Sequence, residues 1–212
     1  MTDQATAPPA NRQQERTERS AAALLDAAAD LIVEGGFSSL TLAAIGERAG
    51  YSRGLVTARF GSKDGLIDAL IERIVTTWSH KNITARVKGR TGIEGALRFT
   101  DAIRAQAAKD SWGLRVLYAL MFEAGTDQIL RARFAKLHAD MRNDFAYFVK
   151  KGQRDGTITR GIDADAEAAL VVGAIRGIGY QWQLDPEGFD VVGALSYLTS
   201  TNEARLRVPD AP

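Results

Sequence analysis

Apolar residues recur at helical spacing along most of the chain, and glycines or capping residues separate the runs. The first run predicts a helix that ends at the Gly35-Gly36 pair, with apolar positions at Leu24, Leu25, Ala28, Leu31 and Ile32. Thr41 is a suitable N-cap for a short second helix that ends at Gly50, and Ser52 for a third that ends at Gly61. Ser62 opens a fourth helix, whose apolar stripe is Leu66, Ile67, Leu70, Ile71 and Ile74.

The remaining sequence predicts only further helices, at about 91–109, 111–123, 126–152, 163–184 and 187–206. Asp185-Pro186 indicates the start of the last one, because an N-cap followed by proline is typical of a helix N-terminus. No stretch alternates apolar and polar residues as a half-buried strand does. The predicted fold class is therefore all-α.

Composition narrows the functional classes. A chain of 212 residues with 45% apolar and 25% charged residues is long enough for one substantial domain or two small ones. It has no cysteine, which excludes disulfides, thiolate metal sites and cysteine nucleophiles. Residues 1–15 predict a flexible polar arm without the apolar core of a signal peptide, and no apolar run approaches the roughly 18 residues of a membrane span. We therefore expect a cytoplasmic protein without membrane contact.

Basic residues are placed locally, not spread over the chain. The net charge is +1, and residues 1–75 carry eight Lys or Arg against ten Asp or Glu, which argues against a generally basic protein that coats nucleic acid. Between residues 48 and 63, however, there is no acidic residue and there are four basic ones: Arg48, Arg53, Arg59 and Lys63. Arg12, Arg16 and Arg19 offer a second basic element near the N-terminus.

The same region contains Gly50-Tyr51-Ser52-Arg53-Gly54, which matches the G-x-S-x-G pattern of a hydrolase nucleophile elbow. That elbow requires a preceding β-strand, whereas the residues before Gly50 have helical spacing. His80 and His138 lack the neighbours expected of a catalytic triad or a metal site. We therefore interpret Ser52 as a helix cap and expect no enzymatic activity, metal or cofactor.

Two short helices joined at Ala49-Gly50-Tyr51 are typical of a helix-turn-helix, in which the small Ala49 lets the helices cross closely and Gly50 permits the turn. The second helix would bury Val56 and Phe60. Its other residues would face outward, as the reading element of a major groove must: Arg53, Gly54, Leu55, Thr57, Ala58 and Arg59.

Residues 20–71 resemble the DNA-binding domain of the TetR family of transcriptional regulators. The resemblance is carried by the Gly35-Gly36-Phe37 turn, Thr41, Ile45, Ala49-Gly50, and the spacing from Ser52 through Gly54 and Phe60 to Ser62-Lys63. It implies a helix-turn-helix domain at 16–75 and a helical effector-binding and dimerisation domain at 76–207. It implies a regulator, in the family's usual mode a repressor, that a small and largely apolar effector releases from a pseudo-palindromic operator in double-stranded DNA.

Position by position, the resemblance implies phosphate contacts at Thr41, Thr57 and Lys63, and base-edge contacts from Arg53, Gly54, Leu55, Ala58 and Arg59. Arg48 and Ser52 complete the predicted DNA-binding set. The family usually has tyrosine where Thr57 stands, and often a polar or basic residue where Ala43 stands. Phosphate contacts are then either weaker than usual or taken over by Arg48 and the arginines of the arm.

For the C-terminal part, the resemblance implies a homodimer joined through the helices near 163–184 and 187–206. Close helix approach would occur at Gly173, Ala174, Gly177, Gly193 and Ala194. The alternative is that these glycines serve packing inside one chain. The resemblance also implies a small-molecule pocket, for which the candidate lining residues are Trp78, Phe99, Ile103, Trp112, Met121, Phe122, Phe145, Phe148, Arg176 and Tyr180. Plain core packing is the alternative for most of them.

Arg176 is the only charged residue between Ala168 and Leu184. A lone arginine on an apolar helix needs an anion, because burying an unpaired charge is costly. One hypothesis is that Arg176 binds an anionic group of the effector, and the alternative is an ion pair with Asp or Glu within the dimer. Two other functional classes remain open at this point: the serine hydrolase, and a ligand-binding helical bundle with no role at DNA.

Overall fold

The computed structural model describes residues 9–78, 89–90, 92–109 and 111–208, and at 9–11, 76–78 and 111 it describes only the helical backbone. Trp78 and His80, singled out above, lie outside the described side chains. These ranges form one 3-10 turn, Phe37–Ser39, and the following α-helices: α1 (Pro9–Gly35), α2 (Leu42–Ala49), α3 (Arg53–Phe60), α4 (Lys63–Trp78), α5 (Gly92–Lys109), α6 (Ser111–Glu123), α7 (Gln128–Asp155), α8 (Ala164–Leu184) and α9 (Val191–Leu206).

The all-α prediction is confirmed, since the only β feature within these ranges is an isolated antiparallel bridge between Ile158 and Arg207. None of the helices described is long and apolar enough to cross a membrane. The chain divides into two compact units, residues 1–73 and 74–212, and the boundary falls within α4.

The predicted caps shape the N-terminal unit. The Thr41 side chain accepts a hydrogen bond from the backbone N–H of Ala44 at 3.1 Å, and Ser52 accepts one from Leu55 at 3.2 Å. Gly50 ends α2 in the left-handed conformation with φ of 74°, which glycine adopts without strain. Each cap satisfies backbone groups that so short a helix leaves unpaired.

A single apolar core holds α1 to α4 together. Ile45 of α2 and Val56 of α3 are fully buried, as are Leu24 of α1 and Leu66 of α4. Because α2 and α3 have eight residues each, they gain little stability from their own backbone hydrogen bonds. Their orientation therefore depends on contacts with the longer helices and with each other.

A close backbone contact between α2 and the turn before α3 occurs at Gly46. A Cβ atom at this position would lie 2.8 Å from the carbonyl oxygen of Tyr51 and 3.1 Å from the backbone nitrogen of Arg53. The Tyr51 N–H also donates to the Gly46 carbonyl at 2.8 Å. The sequence predicted the close crossing at Ala49 and the turn at Gly50; Gly50 does make the turn, whereas the close approach of α2 to that turn occurs at Gly46.

The C-terminal unit is built around α5, which packs against α7 and α9. Phe99 of α5 and Phe145 of α7 meet edge to face with ring centroids 5.6 Å apart, and both are buried. An ion pair between Arg205 and the buried Glu167 joins α9 to α8. Together these contacts make the long helices a packed bundle.

Two helix boundaries differ from those predicted. Residues 9–15, expected to be a flexible arm, belong to α1, and the last helix begins at Val191 and not near 187. Asp185 ends α8 and caps a turn by accepting from Gly188 N–H at 2.9 Å, whereas Asp190 caps α9 by accepting from Gly193. The Asp-Pro signal is thus a real cap, but it belongs to a single turn.

Replacing Gly46 with alanine should destabilise the N-terminal unit by about 1 to 3 kcal/mol, because the methyl group forces two backbones apart. Hydrogen exchange of the α1 to α4 amides at increasing urea concentration measures this change in stability directly. Gly54→Ala is the matched control, since a Cβ there meets only Ser52 Oγ at an ordinary 3.7 Å. Equal stability of the two variants would contradict the close approach at Gly46.

Candidate functional site

The exposed face of α3 is the surface that the sequence analysis assigned to DNA. Arg53, Gly54, Thr57 and Ala58 are exposed, while Val56 is fully buried. Leu55 is half-buried at the edge of this face. The Arg53 side chain makes no hydrogen bond or ion pair with any residue in the described ranges, so its guanidinium is available to an external acceptor. Most side chains on this face are therefore small, and among the described residues Arg53 is its cation without an internal partner.

Gly54 has no structural requirement within the chain, in contrast to Gly46. Open space surrounds the place of its missing side chain, apart from Ser52 Oγ. A glycine inside a helix costs about 0.5 to 1 kcal/mol relative to alanine. Its absent side chain instead allows another molecule to approach the backbone of α3 closely.

Arg59 does not share this face. Its guanidinium is half-buried, with Nη2 donating to Ser20 Oγ of α1 at 3.4 Å and Nε buried without an acceptor among the described residues. The sequence analysis placed Arg59 on the outward side; the structure turns it toward α1. The signal was present in the sequence, because Arg59 follows the buried Val56 by three residues and so lies on the inward side of α3.

Two further predicted DNA contacts are engaged within the N-terminal unit. Arg48 forms a two-pronged ion pair with Glu34 of α1, with N···O distances of 2.6 and 3.0 Å, and this pairing lowers the pKa of Glu34. Lys63 donates to the Phe37 carbonyl at 3.3 Å and its Nζ lies 4.0 Å from the centroid of the Phe37 ring. Both cations lie at the ends of helices that flank α3.

The hydroxyl residues lie at helix termini and on the exposed face. Thr41 and Ser52 are exposed N-caps, so the N-termini of α2 and α3 present backbone N–H groups and a positive dipole end to solvent. Thr57 donates to the Arg53 carbonyl at 3.2 Å. Because α2 and not a strand precedes Ser52, the nucleophile-elbow alternative is wrong.

Two features extend this surface. Arg12, Arg16 and Arg19 are exposed on the first part of α1, and their spacing of four and three residues places them on one side of the helix. Tyr51, which the sequence analysis passed over, is 37% exposed in the turn before α3. The sequence signal for Tyr51 was an aromatic residue in the turn of the predicted helix-turn-helix.

In the C-terminal unit, a cavity of about 400 Å3 opens between α6 and α8. Four of the predicted effector residues line it: Met121, Phe122, Arg176 and Tyr180. Tyr118 and Gly177, which were not predicted, complete the lining. The rings of Phe122 and Tyr180 lie 5.4 Å apart and are both about half exposed, which makes an aromatic edge to the cavity.

The other predicted lining residues lie elsewhere. Phe99, Phe145 and Phe148 are buried in the core between α5 and α7, as the packing alternative expected. Ile103 lines a second, narrow cavity that shares Tyr118 and Arg176 with the first. Trp112 is half-buried and lines neither of these two cavities.

Among the described residues that line either cavity, Arg176 is the only one with a charged side chain. No Asp or Glu among the described residues pairs with it; Nη2 contacts the Met141 sulfur at 2.7 Å, and Nε is buried without an acceptor there. Burial raises the pKa of Tyr118, against the opposing effect of the Arg176 charge. Burial, with the charges of Arg176 and Arg142, lowers the pKa of His138 to about 4. Tyr118 and His138 are therefore neutral at pH 7.

One side of α8 is exposed although it is apolar and small. Leu170 and Leu184 are 55% and 65% exposed, and Gly173 and Gly177 between them have no atom near the position of a Cβ. On α9, Tyr197 is 75% exposed. Gly193 differs from Gly173 and Gly177, because a Cβ there would clash with the capping carboxylate of Asp190.

No group of three or more His, Cys, Asp or Glu side chains within the described part of the chain is arranged to hold a metal ion.

Models of known protein families match both the N-terminal and the C-terminal part of the chain. Residues 24–70 match the model of the bacterial regulatory proteins of the tetR family, and residues 94–206 match the C-terminal model of BetI-type transcriptional repressors. The HTH-type transcriptional regulator BetI of Burkholderia lata is 27% identical over 162 residues, which is 74% of this chain and 82% of that protein.

Solved structures share the fold at lower identity. A transcriptional regulator from Saccharomonospora viridis in complex with choline has a TM-score of 0.75 at 19% identity, covering 91% of this chain and 100% of that chain. The complex of SmeT with triclosan has a TM-score of 0.77 at 18% identity, covering 91% and 96%. SmeT is the repressor of the Stenotrophomonas maltophilia multidrug efflux pump SmeDEF. At these identities, the likeness concerns the fold alone.

Arg53→Ala should weaken specific DNA binding by about 1 to 3 kcal/mol, roughly 5- to 150-fold, because an arginine at a base edge or phosphate loses its partner. Fluorescence anisotropy with a selected duplex measures the affinity. Because Arg53 has no partner within the described ranges, hydrogen exchange of α1 to α4 should not change. Arg160→Ala, an exposed arginine of the other unit, controls for loss of one charge. If both variants bind alike, α3 does not read the duplex through Arg53.

Gly54→Ala should change stability and DNA affinity in opposite directions. The N-terminal unit should gain about 0.5 to 1 kcal/mol, since alanine is the better helix former and has room at this position. DNA affinity should fall, because the methyl group stands on the approaching face. A variant that is stabilised and binds the duplex as tightly as the wild type would show that α3 does not come close to DNA at this residue.

Proposed function

The chain belongs to the TetR family of bacterial regulatory proteins, DNA-binding transcriptional regulators and not enzymes, and we propose that it is a repressor which a small, largely apolar effector releases from a pseudo-palindromic operator. The observation that carries the DNA half of this proposal is the exposed face of α3, with its available guanidinium at Arg53 and its unobstructed backbone at Gly54. The match to BetI-type repressors supports the repressing mode.

The proposed contacts divide into two kinds. Arg53, Gly54, Leu55 and Ala58 would meet base edges in the major groove. Contacts to phosphates would come from Thr41, Ser52, Thr57, Lys63 and Arg48. An exposed ion pair contributes only about 0 to 1 kcal/mol, so a phosphate can replace Glu34 as the partner of Arg48 at little cost. Arg12, Arg16 and Arg19 would add phosphate contacts from the start of α1.

A homodimer is the second part of the proposal. One eight-residue reading helix covers few base pairs, and two-fold dimers that read half-sites about one helical turn apart are the usual solution. The exposed apolar side of α8 supports this assembly, because Leu170, Gly173, Gly177 and Leu184 allow close approach of a second helix. Tyr197 of α9 would extend the interface.

Release requires that the effector bind the DNA-incompetent arrangement better than the competent one, since only differential affinity shifts the equilibrium. The cavity between α6 and α8 is the proposed effector site, and its mostly apolar and aromatic lining supports a largely apolar ligand. The neighbouring structures contain choline and triclosan, two very different molecules. The shared fold therefore does not determine the class of effector, which depends on the residues that line the cavity of this chain.

Selection of bound duplexes from random DNA should enrich a two-fold symmetric sequence, because each protomer of a dimer presents the same α3. Affinity for that duplex should fall with salt at a log-log slope of about −0.9 per phosphate contacted. With the selected site placed over a promoter, the protein should lower transcription in vitro. Arg53→Ala protein, carried through the same steps, is the matched control.

Three results would contradict parts of this proposal separately. Enrichment of no sequence removes the DNA-binding role of α3. Enrichment of a single half-site, with a monomer in sedimentation, removes the dimer. A rise in transcription from the selected site shows an activator in place of a repressor.

A further inference from the structure

Arg176 is a half-buried cation for which the described residues provide no anion. Proteins rarely bury a charged group without a partner, because the lost hydration is not regained. The thioether of Met141 is only a weak acceptor, and the buried Nε has no acceptor at all among the residues described. The guanidinium therefore retains unused capacity for strong hydrogen bonds.

The surroundings of Arg176 are apolar or neutral. The larger cavity presents the side chains of Tyr118, Met121, Phe122 and Tyr180, and none of them carries a carboxylate or an amine. The low pKa of His138 keeps that imidazole neutral as well. A positive charge in a setting of low polarity attracts an anion more strongly than the same charge in water.

We infer that the cavity between α6 and α8 binds an aromatic carboxylate, with the carboxylate on the guanidinium of Arg176 and the ring against Phe122 and Tyr180. The inference rests on the proposed effector site and names its ligand class. A guanidinium presents paired N–H donors that match the two oxygens of a carboxylate. Ring faces and edges at the mouth favour a flat apolar body.

The same geometry argues against a quaternary ammonium ligand. Aromatic cages bind such cations through the negative faces of their rings. Here a guanidinium lines the same cavity and none of the described lining residues carries a carboxylate, so a cationic ligand would be repelled. The cavity thus differs in charge from what a cation site requires, although its aromatic residues alone would suit one.

Three probes with the same ring system test the charge preference: naphthylacetate, its neutral amide naphthylacetamide, and naphthylmethyltrimethylammonium. Calorimetric titration of the full chain without DNA should show the carboxylate bound about 10- to 100-fold more tightly than the amide, and the ammonium most weakly. Equal or tighter binding of the amide or the ammonium, or no binding of the carboxylate at about 1 mM, overturns the inference.

Variants assign the preference to a residue. Arg176→Gln should lose the discrimination between carboxylate and amide, while Arg176→Lys should keep part of it, because the charge remains without the fork geometry. Arg115→Gln is the matched control, since Arg115 is also half-buried in this unit but lies over the Trp182 ring and outside the cavity lining. A preference that survives Arg176→Gln overturns the inference.

Sedimentation separates the ligand role from an ion pair within the dimer. If Arg176→Gln dissociates a wild-type dimer into monomers, the guanidinium is serving the interface and the inference is overturned. With the dimer intact and discrimination lost, it stands.

His138 supplies a readout that does not depend on DNA. Neutralising Arg176 with a bound carboxylate removes one of the charges that hold its pKa near 4, so that pKa should rise. The chain has two histidines, which makes the imidazole signals simple to follow by NMR titration. An unchanged pKa in the presence of saturating naphthylacetate contradicts binding at Arg176.

Failure of this inference and failure of the proposed function give different results. Carboxylate binding without any selected duplex would leave a ligand-binding protein with no shown role at DNA. A selected operator together with indifference to the carboxylate would leave the regulator intact and its effector of another class.

Discussion

The N-terminal unit depends on the close approach of two backbones at Gly46. Helices α2 and α3 are only two turns long, so neither holds its position through its own hydrogen bonds. A carbonyl oxygen from the turn occupies the space where a Cβ would stand, and the Tyr51 N–H is bonded back to α2. That contact fixes the angle of α3, and the burial of Val56 then decides which residues of α3 face outward. The outward face of α3 thus depends on this contact and on the burial of Val56.

Most of the basic side chains between residues 48 and 63 already contact another residue of this unit. Of the four basic side chains between residues 48 and 63, Arg48 pairs with Glu34, Arg59 turns to Ser20, and Lys63 lies on Phe37. Only Arg53 stands without such a contact in the described ranges. Exposed pairs are weak, so some of these groups can exchange their internal partner for a phosphate. In the proposed complex the cost of that exchange would fall on nonspecific affinity, whereas the guanidinium of Arg53 and the exposed backbone at Gly54 would contribute to sequence recognition.

In the C-terminal unit, the fold shared with the family and the charge of the cavity are set by different residues. A BetI-type helical bundle provides the position of the cavity between α6 and α8. Its charge is set by Arg176 alone, since the rest of the lining is apolar, aromatic or phenolic. One side chain on a shared fold therefore decides whether a cavity suits an anion or a cation. Gly173 and Gly177 of the same helix are exposed, so the proposed effector site and the proposed dimer surface both include α8.

The sequence by itself determined the local structure: the all-α class, the caps at Thr41 and Ser52, and the stops at the glycines. These depend on residues a few positions apart, which is the range over which capping and hydrophobic periodicity act. Tertiary structure alone decided that Gly46 makes a tight crossing, and that Phe99, Phe145 and Phe148 are core residues. It also decided that Arg176 finds no carboxylate among the described residues. Those outcomes depend on which helices become neighbours in space. The spacing of residues along the chain does not reveal which side chain of another helix packs against a given residue.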